Sequence, residues 1–248
     1  MSPKDLAKGL SRGSLGMIFL AAFLLWFSPA HGGTISESFN NNTYDQNFWG
    51  TGTQGQGPST AVTSNRLEIT IPANASAGGN PYPFGGQIGS RFELVGDFDV
   101  QVDFNLFNWP SPVGVQVGIG PTLIRGMFPA GVWLMNDPTG NPIQIYTGYL
   151  NGTSVNIGTS DTSGKLRLTR TGLTMQTFYW APGGWQLLAS RTDPLFGATC
   201  GIFMYALSHN FQGKTVQVAF DNIQVTYNKI RPFGTRNPPT GILQLLLD

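Results

Sequence analysis

From residue 34 onward, apolar and polar residues alternate with a period of two, and clusters of Gly, Pro, Asn or Asp break the alternation roughly every 8 to 15 residues. Successive side chains of a strand point to opposite faces. In GDFDVQVDFNLF, 96–107, Phe98, Val100, Val102, Phe104 and Leu106 therefore face one way, and Asp97, Asp99, Gln101, Asp103 and Asn105 the other. One side of this segment is core and the other is wet. The pattern recurs in RLEITIP at 66, VGVQVGIG at 113, GVWLMN at 131, PIQIYTGY at 142, GKLRLTR at 164, LTMQTFYW at 173, WQLLAS at 185 and CGIFMYAL at 200. No segment after residue 33 carries an apolar stripe of helical period, so the spacing predicts an all-β sandwich or barrel of about a dozen strands. Ala181-Pro182-Gly183-Gly184 reads as a hairpin turn, since Pro presets φ and Gly accepts positive φ.

Composition agrees with that reading. Gly (33) and Pro (17) are abundant among the 248 residues, and charged residues make up 11%, against roughly 25% in an ordinary soluble domain. This argues against helix bundles and coiled coils, while 40% hydrophobic and 12% aromatic content argues against disorder. In the last strand Val216, Val218 and Phe220 occupy even positions but Ile223, Val225 and Tyr227 odd ones, which predicts a bulge or bend at Asp221-Asn222. Residues 34–229 read as one domain. Residues 230–248 read as a Pro- and Gly-containing linker with an apolar tail too short to cross a membrane.

The first thirty residues have a different character. Lys4, Lys8 and Arg12 precede an apolar run, 15–27, and Ser28-Pro29-Ala30 then supplies the small residues that a signal peptidase reads. The run is about 13 residues, short of the roughly 20 that span a bilayer, so 1–30 reads as a cleaved secretory leader and His31 as the mature terminus. Cleavage changes the net charge from +1 to −1 by removing three basic residues and one acid, which leaves nothing to steer the chain to nucleic acid or anionic lipid. With Cys200 as its single cysteine the chain forms no internal disulfide. The expected location is extracellular, periplasmic or cell-surface, with no membrane insertion after cleavage.

ISESFNNNTYDQNFW at the start, GDFDVQVDFNLF, GKLRLTRTG followed by FYWAPGGW, and AFDNIQV at the end together resemble the concanavalin A-like lectin/glucanase superfamily, the laminin G-like jelly rolls. The resemblance covers most of 34–228. It implies a two-sheet antiparallel sandwich with its first and last strands adjacent, and a concave sheet that relatives use for glycans.

Laminarinase-type glucanases of that superfamily place two glutamates around an aspartate at i, i+2 and i+4 of one strand. Asp99-x-Gln101-x-Asp103 has the spacing but other residues. On a straight strand i and i+4 lie about 13 Å apart, beyond the roughly 5–5.5 Å of a retaining pair. Glu37, Glu68 and Glu93, the glutamates after the leader, fall on separate strands. Histidine chemistry is equally thin, because His31 and His209 are the only histidines. A triad or zinc site lacks parts, and a copper-holding brace of His31 and His209 is disfavoured because the predicted pairing of the end strands sets the two far apart.

Aromatics are the better lead, since sugars stack their C–H faces on Trp or Tyr while amides and carboxylates take the hydroxyls. Trp49, Trp109, Trp133, Trp180 and Trp185 follow the leader. Trp133 lies between Val132 and Leu134, and Tyr146 follows Ile145, so each is read on the face opposite its strand's aliphatics. Gly114, Gln116 and Gly118 would leave a shallow trough on a neighbouring strand. The resemblance places these strands in one sheet, making Asp99, Gln101, Asp103, Gln116, Trp133, Gln144, Tyr146 and Tyr205 the expected ligand contacts. The partner is then a polysaccharide or surface glycan held by a secreted, non-enzymatic protein. The alternatives are a structural or adhesive envelope protein without sugar affinity, and a divergent glycoside hydrolase.

The resemblance also implies a structural calcium ion (Ca2+) clipping the terminal strands. Glu37 and Asp221 are the carboxylates placed for it, whereas calcium takes six to eight oxygens. The simpler reading of Asp221 is a cap on local backbone N–H groups at the bulge.

Overall fold

The computed structural model describes residues 32–78, 84–109, 117–125, 128–136, 144–150, 152–192, 197–206 and 213–232. The leader, His31, Gln116, His209 and the tail from 233 lie outside the described residues. Fourteen antiparallel strands are described, with a single 3-10 turn at Asn40–Asn42. They form two packed layers because one long strand, β5 (Phe84–Asn108), runs through both.

The second half of β5 belongs to the first sheet, between β10 (Ser163–Thr171) and β14 (Val216–Pro232). Beyond β10 follow β11 (Thr174–Ala181) and the edge strand β12 (Gly184–Thr192). On its other side β14 pairs with β4 (Arg66–Ile71), which carries β3 (Ser59–Thr63), and then with β1 (Gly33–Glu37). The first and last strands are thus neighbours. The change of neighbour falls at the predicted bulge: β14 pairs β4 up to Phe220 and β1 from Ile223, its register with β5 shifts between Asp221 and Gln224, and Asn222 has φ +50°. β14 also continues through Pro232, into the stretch read as linker.

The first half of β5 lies in the second sheet, between β2 (Trp49–Gln54) and β13 (Gly197–Ala206). From β13 this sheet continues through β6 (Val117–Arg125), β7 (Phe128–Asn136) and β8 (Gln144–Leu150) to the edge strand β9 (Thr153–Thr159). β2, β3, β9 and the Gly-rich start of β5 were not apparent in the sequence.

The apolar alternation of β5 points between the sheets as expected: Phe98, Val100, Val102, Phe104 and Leu106 are buried with Leu166 and Leu168 of β10 and with Val218, Phe220 and Val225 of β14. Ile88, Val132, Leu134 and Leu150 meet them from the second sheet. Each such side chain contributes about 1.5–3 kcal/mol. The expected hairpin closes with Ala181 paired to Gly184 and Gly183 at φ +103°, a value that Gly adopts without steric cost.

Candidate functional site

Asp99, Gln101 and Asp103 stand on the outer face of the first sheet, where ion pairs occupy their carboxylates. Arg167 of β10 grips Asp99 with both Nε (2.9 and 3.1 Å) and Nη2 (2.5 Å), and Lys165 donates to both oxygens of Asp103 at 2.8 and 2.9 Å. Gln101 donates to Asp99 at 3.2 Å, and the Asn222 side chain to Asp103 at 3.0 Å. The glutamates are also engaged: Glu68 pairs with Arg66 at 2.8 Å, Glu93 with Arg231, and Glu37 with backbone amides.

Trp133 belongs to the opposite side of the sandwich. Directly paired residues share a face, and one cross-strand row runs Gly50, Gly89, Gly201, Thr122, Gly131, Tyr149. A parallel row runs Gln54, Gly85, Tyr205, Gly118, Met135, Ile145, which places Tyr205 at a register position of this same outer face. Between the rows, Gln87 pairs with Gly52 and Trp133 with Thr147. None of these residues is Asp or Glu. The Trp133 indole N–H donates to the Thr122 hydroxyl at 2.8 Å, and its ring stacks on Tyr149 with centroids 5.5 Å apart and planes 19° from parallel. Gly131 makes room for it, since a Cβ there would lie 2.5 Å from the indole nitrogen.

This face also carries unsatisfied polar atoms. Gln54 Oε1, Gln87 Oε1 and Thr147 Oγ1 are buried without a protein hydrogen-bond partner, and Gln87 is only 8% exposed. A buried acceptor left unpaired costs about 1–3 kcal/mol, and Trp49 Nε1, Thr177 Oγ1 and Asn228 Oδ1 are unpaired elsewhere among the described residues. Sequence reasoning missed Gln54, Gln87, Thr147 and Tyr149. The available signal was glycine recurring at positions of one parity, Gly50 and Gly52 in WGTGTQ and Gly85 and Gly89 on either side of Gln87, which strips one face of a strand of its side chains.

The reading that put Tyr146 and Gln144 beside Trp133 is corrected by the register. Tyr146 pairs with Leu134, whereas Ile145 pairs with Met135 on the Trp133 side. Tyr146 therefore points between the sheets, 1% exposed, stacked on Tyr179 of β11 at 4.7 Å and edge-on to Phe104. Its hydroxyl donates to Asp161 at 2.8 Å, and Gln144 donates to the Asp161 carbonyl at 2.7 Å. Burial, reinforced by that carboxylate, pushes the Tyr146 hydroxyl far above the ordinary tyrosine range. The sequence could not reveal this because an aromatic preceded by an isoleucine looks the same whichever face is core. The eight expected ligand contacts thus do not form one site: three lie on the first sheet, Trp133 and Tyr205 on the second, two at the inter-sheet end, and Gln116 outside the described residues.

Glu37 and Asp221 are not brought together either. Glu37 pairs with the core residue Ile223 and is itself buried, its two oxygens accepting the Phe39 and Asp45 amides at 2.9 and 2.8 Å. Asp221 pairs with Asp103 on the outer face and accepts the Asn222 amide at 2.7 Å. Carboxylates on opposite faces of a sheet do not share an ion, and among the described residues no group of three His, Cys, Asp or Glu gathers into a metal site. Glu37 and Asp221 therefore do not form a shared calcium site.

The chain thus folds as a two-sheet antiparallel jelly-roll sandwich, the fold of the solved glucanases to which it is similar. Among solved structures it is similar to the CBM2 module of the evolved Dit protein of Lactobacillus casei BL23 phage J-1, with TM-score 0.56, 11% identity, and coverage of 79% of this chain and 95% of that one. It is similar to a β-1,3-glucanase from Mycobacterium marinum, with TM-score 0.56, 11% identity, and coverage of 77% and 97%. An immunostimulatory antigen and pseudo β-1,3-glucanase of Mycobacterium tuberculosis matches at TM-score 0.56, 10% identity, and coverage of 79% and 98%. No protein-family model matches the chain, and no curated protein matches it.

Proposed function

We propose that this is a secreted, non-enzymatic carbohydrate-binding protein that holds a polysaccharide or surface glycan against the outer face of its second sheet. The observation that supports the reading is the Trp133–Tyr149 stack on a glycine-floored sheet face that also bears Thr147 on β8, Gln87 on β5 and Gln54 on β2. Aromatic rings suit the C–H face of a pyranose, and carboxamide and hydroxyl groups suit its hydroxyls. Similarity to a CBM2 module, a β-1,3-glucanase and a pseudo β-1,3-glucanase points the same way. The non-enzymatic part rests on the carboxylates: hydrolysis needs a matched pair, the rows around Trp133 hold none, and Asp99 and Asp103 are ion-paired on the opposite side. Export rests on the basic, then apolar, then small-residue order of residues 1–30.

Pull-down with insoluble β-glucan, chitin and cellulose, together with a glycan array, tests the reading. Wild type is retained by at least one glycan, Tyr149→Ala loses at least tenfold in affinity with an unchanged strand circular dichroism spectrum, and no reducing sugar is released. Failure on every glycan leaves the envelope-protein alternative, and reducing-sugar release leaves the hydrolase.

A further inference from the structure

Among the described residues, six large hydrophobic side chains are exposed, and four of them, Val155, Ile157, Trp180 and Leu187, lie on β9, β11 and β12. These strands form one lateral side of the sandwich, where β9 ends the second sheet, β12 ends the first, and the two are in contact. The other lateral side is closed, because Thr60 of β3 donates to the Gly52 carbonyl of β2 at 3.3 Å, and none of the six lies on those two strands.

Among the described residues β9 pairs only with β8, so within them its far edge offers unpaired backbone donors and acceptors along about 24 Å. Edge strands of monomeric proteins are guarded by Lys, Pro, bulges or charge. β9 reads TSVNIGT, without charge, proline or register shift, and all but its last residue are exposed. Arg191 of β12 donates to the Leu150 carbonyl at 3.1 Å and to the hydroxyl of Thr153, the first residue of β9, at 2.9 Å.

We propose that β9 pairs antiparallel with β9 of a second copy of this chain, about a two-fold axis, to make a dimer with continuous second sheets. An antiparallel strand pair is self-complementary about a two-fold, and a neutral strand meets no like charge in its own image. Centring the register on Asn156 sets Val155 opposite the partner's Ile157, burying on each side the two apolar side chains of β9 that are now exposed. The contact face is about 24 Å long and about 20 Å deep, counting two sheets about 10 Å apart and their outer side chains, or about 500 Å² per partner. That is the lower end of specific interfaces, so the dimer forms reversibly with concentration. The axis runs perpendicular to the paired sheets, so both glycine-lined faces point the same way.

Sedimentation equilibrium of the purified protein from about 1 to about 300 µM, the range a small interface calls for, tests this. Wild type shifts from monomer to dimer across it. Ile157→Lys stays monomeric with an unchanged strand circular dichroism spectrum, and Phe107→Lys, at an exposed apolar position away from the edge, dimerises like wild type. A monomeric wild type at the top concentration overturns the proposal, as does an Ile157→Lys variant that dimerises or a Phe107→Lys variant that does not. Amide hydrogen exchange on wild type reads the same contact without mutation: β9 amides gain protection as concentration rises, and protection independent of concentration overturns it. None of these outcomes depends on glycan binding.

Discussion

Trp133 and Tyr149 stack with ring centroids 5.5 Å apart and planes 19° from parallel, although they sit on different strands and are not directly paired. Tyr149 pairs with Gly131, two residues before Trp133, so the indole lies diagonally across the position where a side chain at 131 would stand.

That arrangement makes Gly131 a specific requirement. In Gly131→Ala the new methyl would meet the indole nitrogen at 2.5 Å, and displacing a packed ring costs about 1–3 kcal/mol. The melting midpoint falls by about 2–4 °C per kcal/mol for a domain of this size. Polysaccharide retention falls with it, and retention at wild-type level would separate the stack from binding.

The aspartates of the first sheet are predicted to be dispensable for chemistry. Asp99→Asn and Asp103→Asn each remove one partner of a partly exposed ion pair, so stability drops by less than about 1 kcal/mol. Reducing-sugar assays on either variant match wild type, and loss of real turnover would reopen the hydrolase reading.

Metal removal separates the two readings of Glu37 and Asp221. With the carboxylates on opposite faces, EDTA leaves the melting midpoint unchanged. Asp221→Ala lowers stability by about 1 kcal/mol through loss of the bond to the Asn222 amide, and Glu37→Gln lowers it by about 1.5–3 kcal/mol because a buried amide loses its charged acceptor. An EDTA-sensitive midpoint that Asp221→Ala abolishes would restore the ion.

Tyr146 sets an alkaline limit. Burial raises its pKa in the folded state, while an unfolded tyrosine titrates near about 10. The folded form therefore holds the proton more tightly, and the resulting stability is whole below about pH 10 and lost as pH rises beyond it. The difference in midpoint between wild type and Tyr146→Phe is accordingly constant from about pH 7 to about pH 9 and shrinks above about pH 10. A constant difference through pH 11 would show that the hydroxyl does not titrate with unfolding.

Much of the framework was legible in the chain. The inward set Phe98 to Leu106, the hairpin at 181–184, the bulge at Asp221-Asn222 and the pairing of the first and last strands follow from period, turn chemistry, phase and resemblance. These are properties of neighbours along one strand, which a sequence states directly. The segments that were missed, WGTGTQ, FGGQIGS and TSVNIGT, are rich in Gly, Ser and Thr and carry little hydrophobic contrast, so their strand character comes from the ladders they join.

Which face meets which sheet was decided only by the tertiary structure. Tyr146 and Trp133 stand beside similar aliphatic residues, yet the register of β7 against β8 sends one into the core and the other to the outer face. The long β5 separates Asp99 and Asp103 from Trp133 by passing from one layer to the other. Alternation fixes two sides for every strand by itself, but only the packing of one layer against another determines which side is buried, because the hydrophobic gain belongs to pairs of faces and not to a single strand.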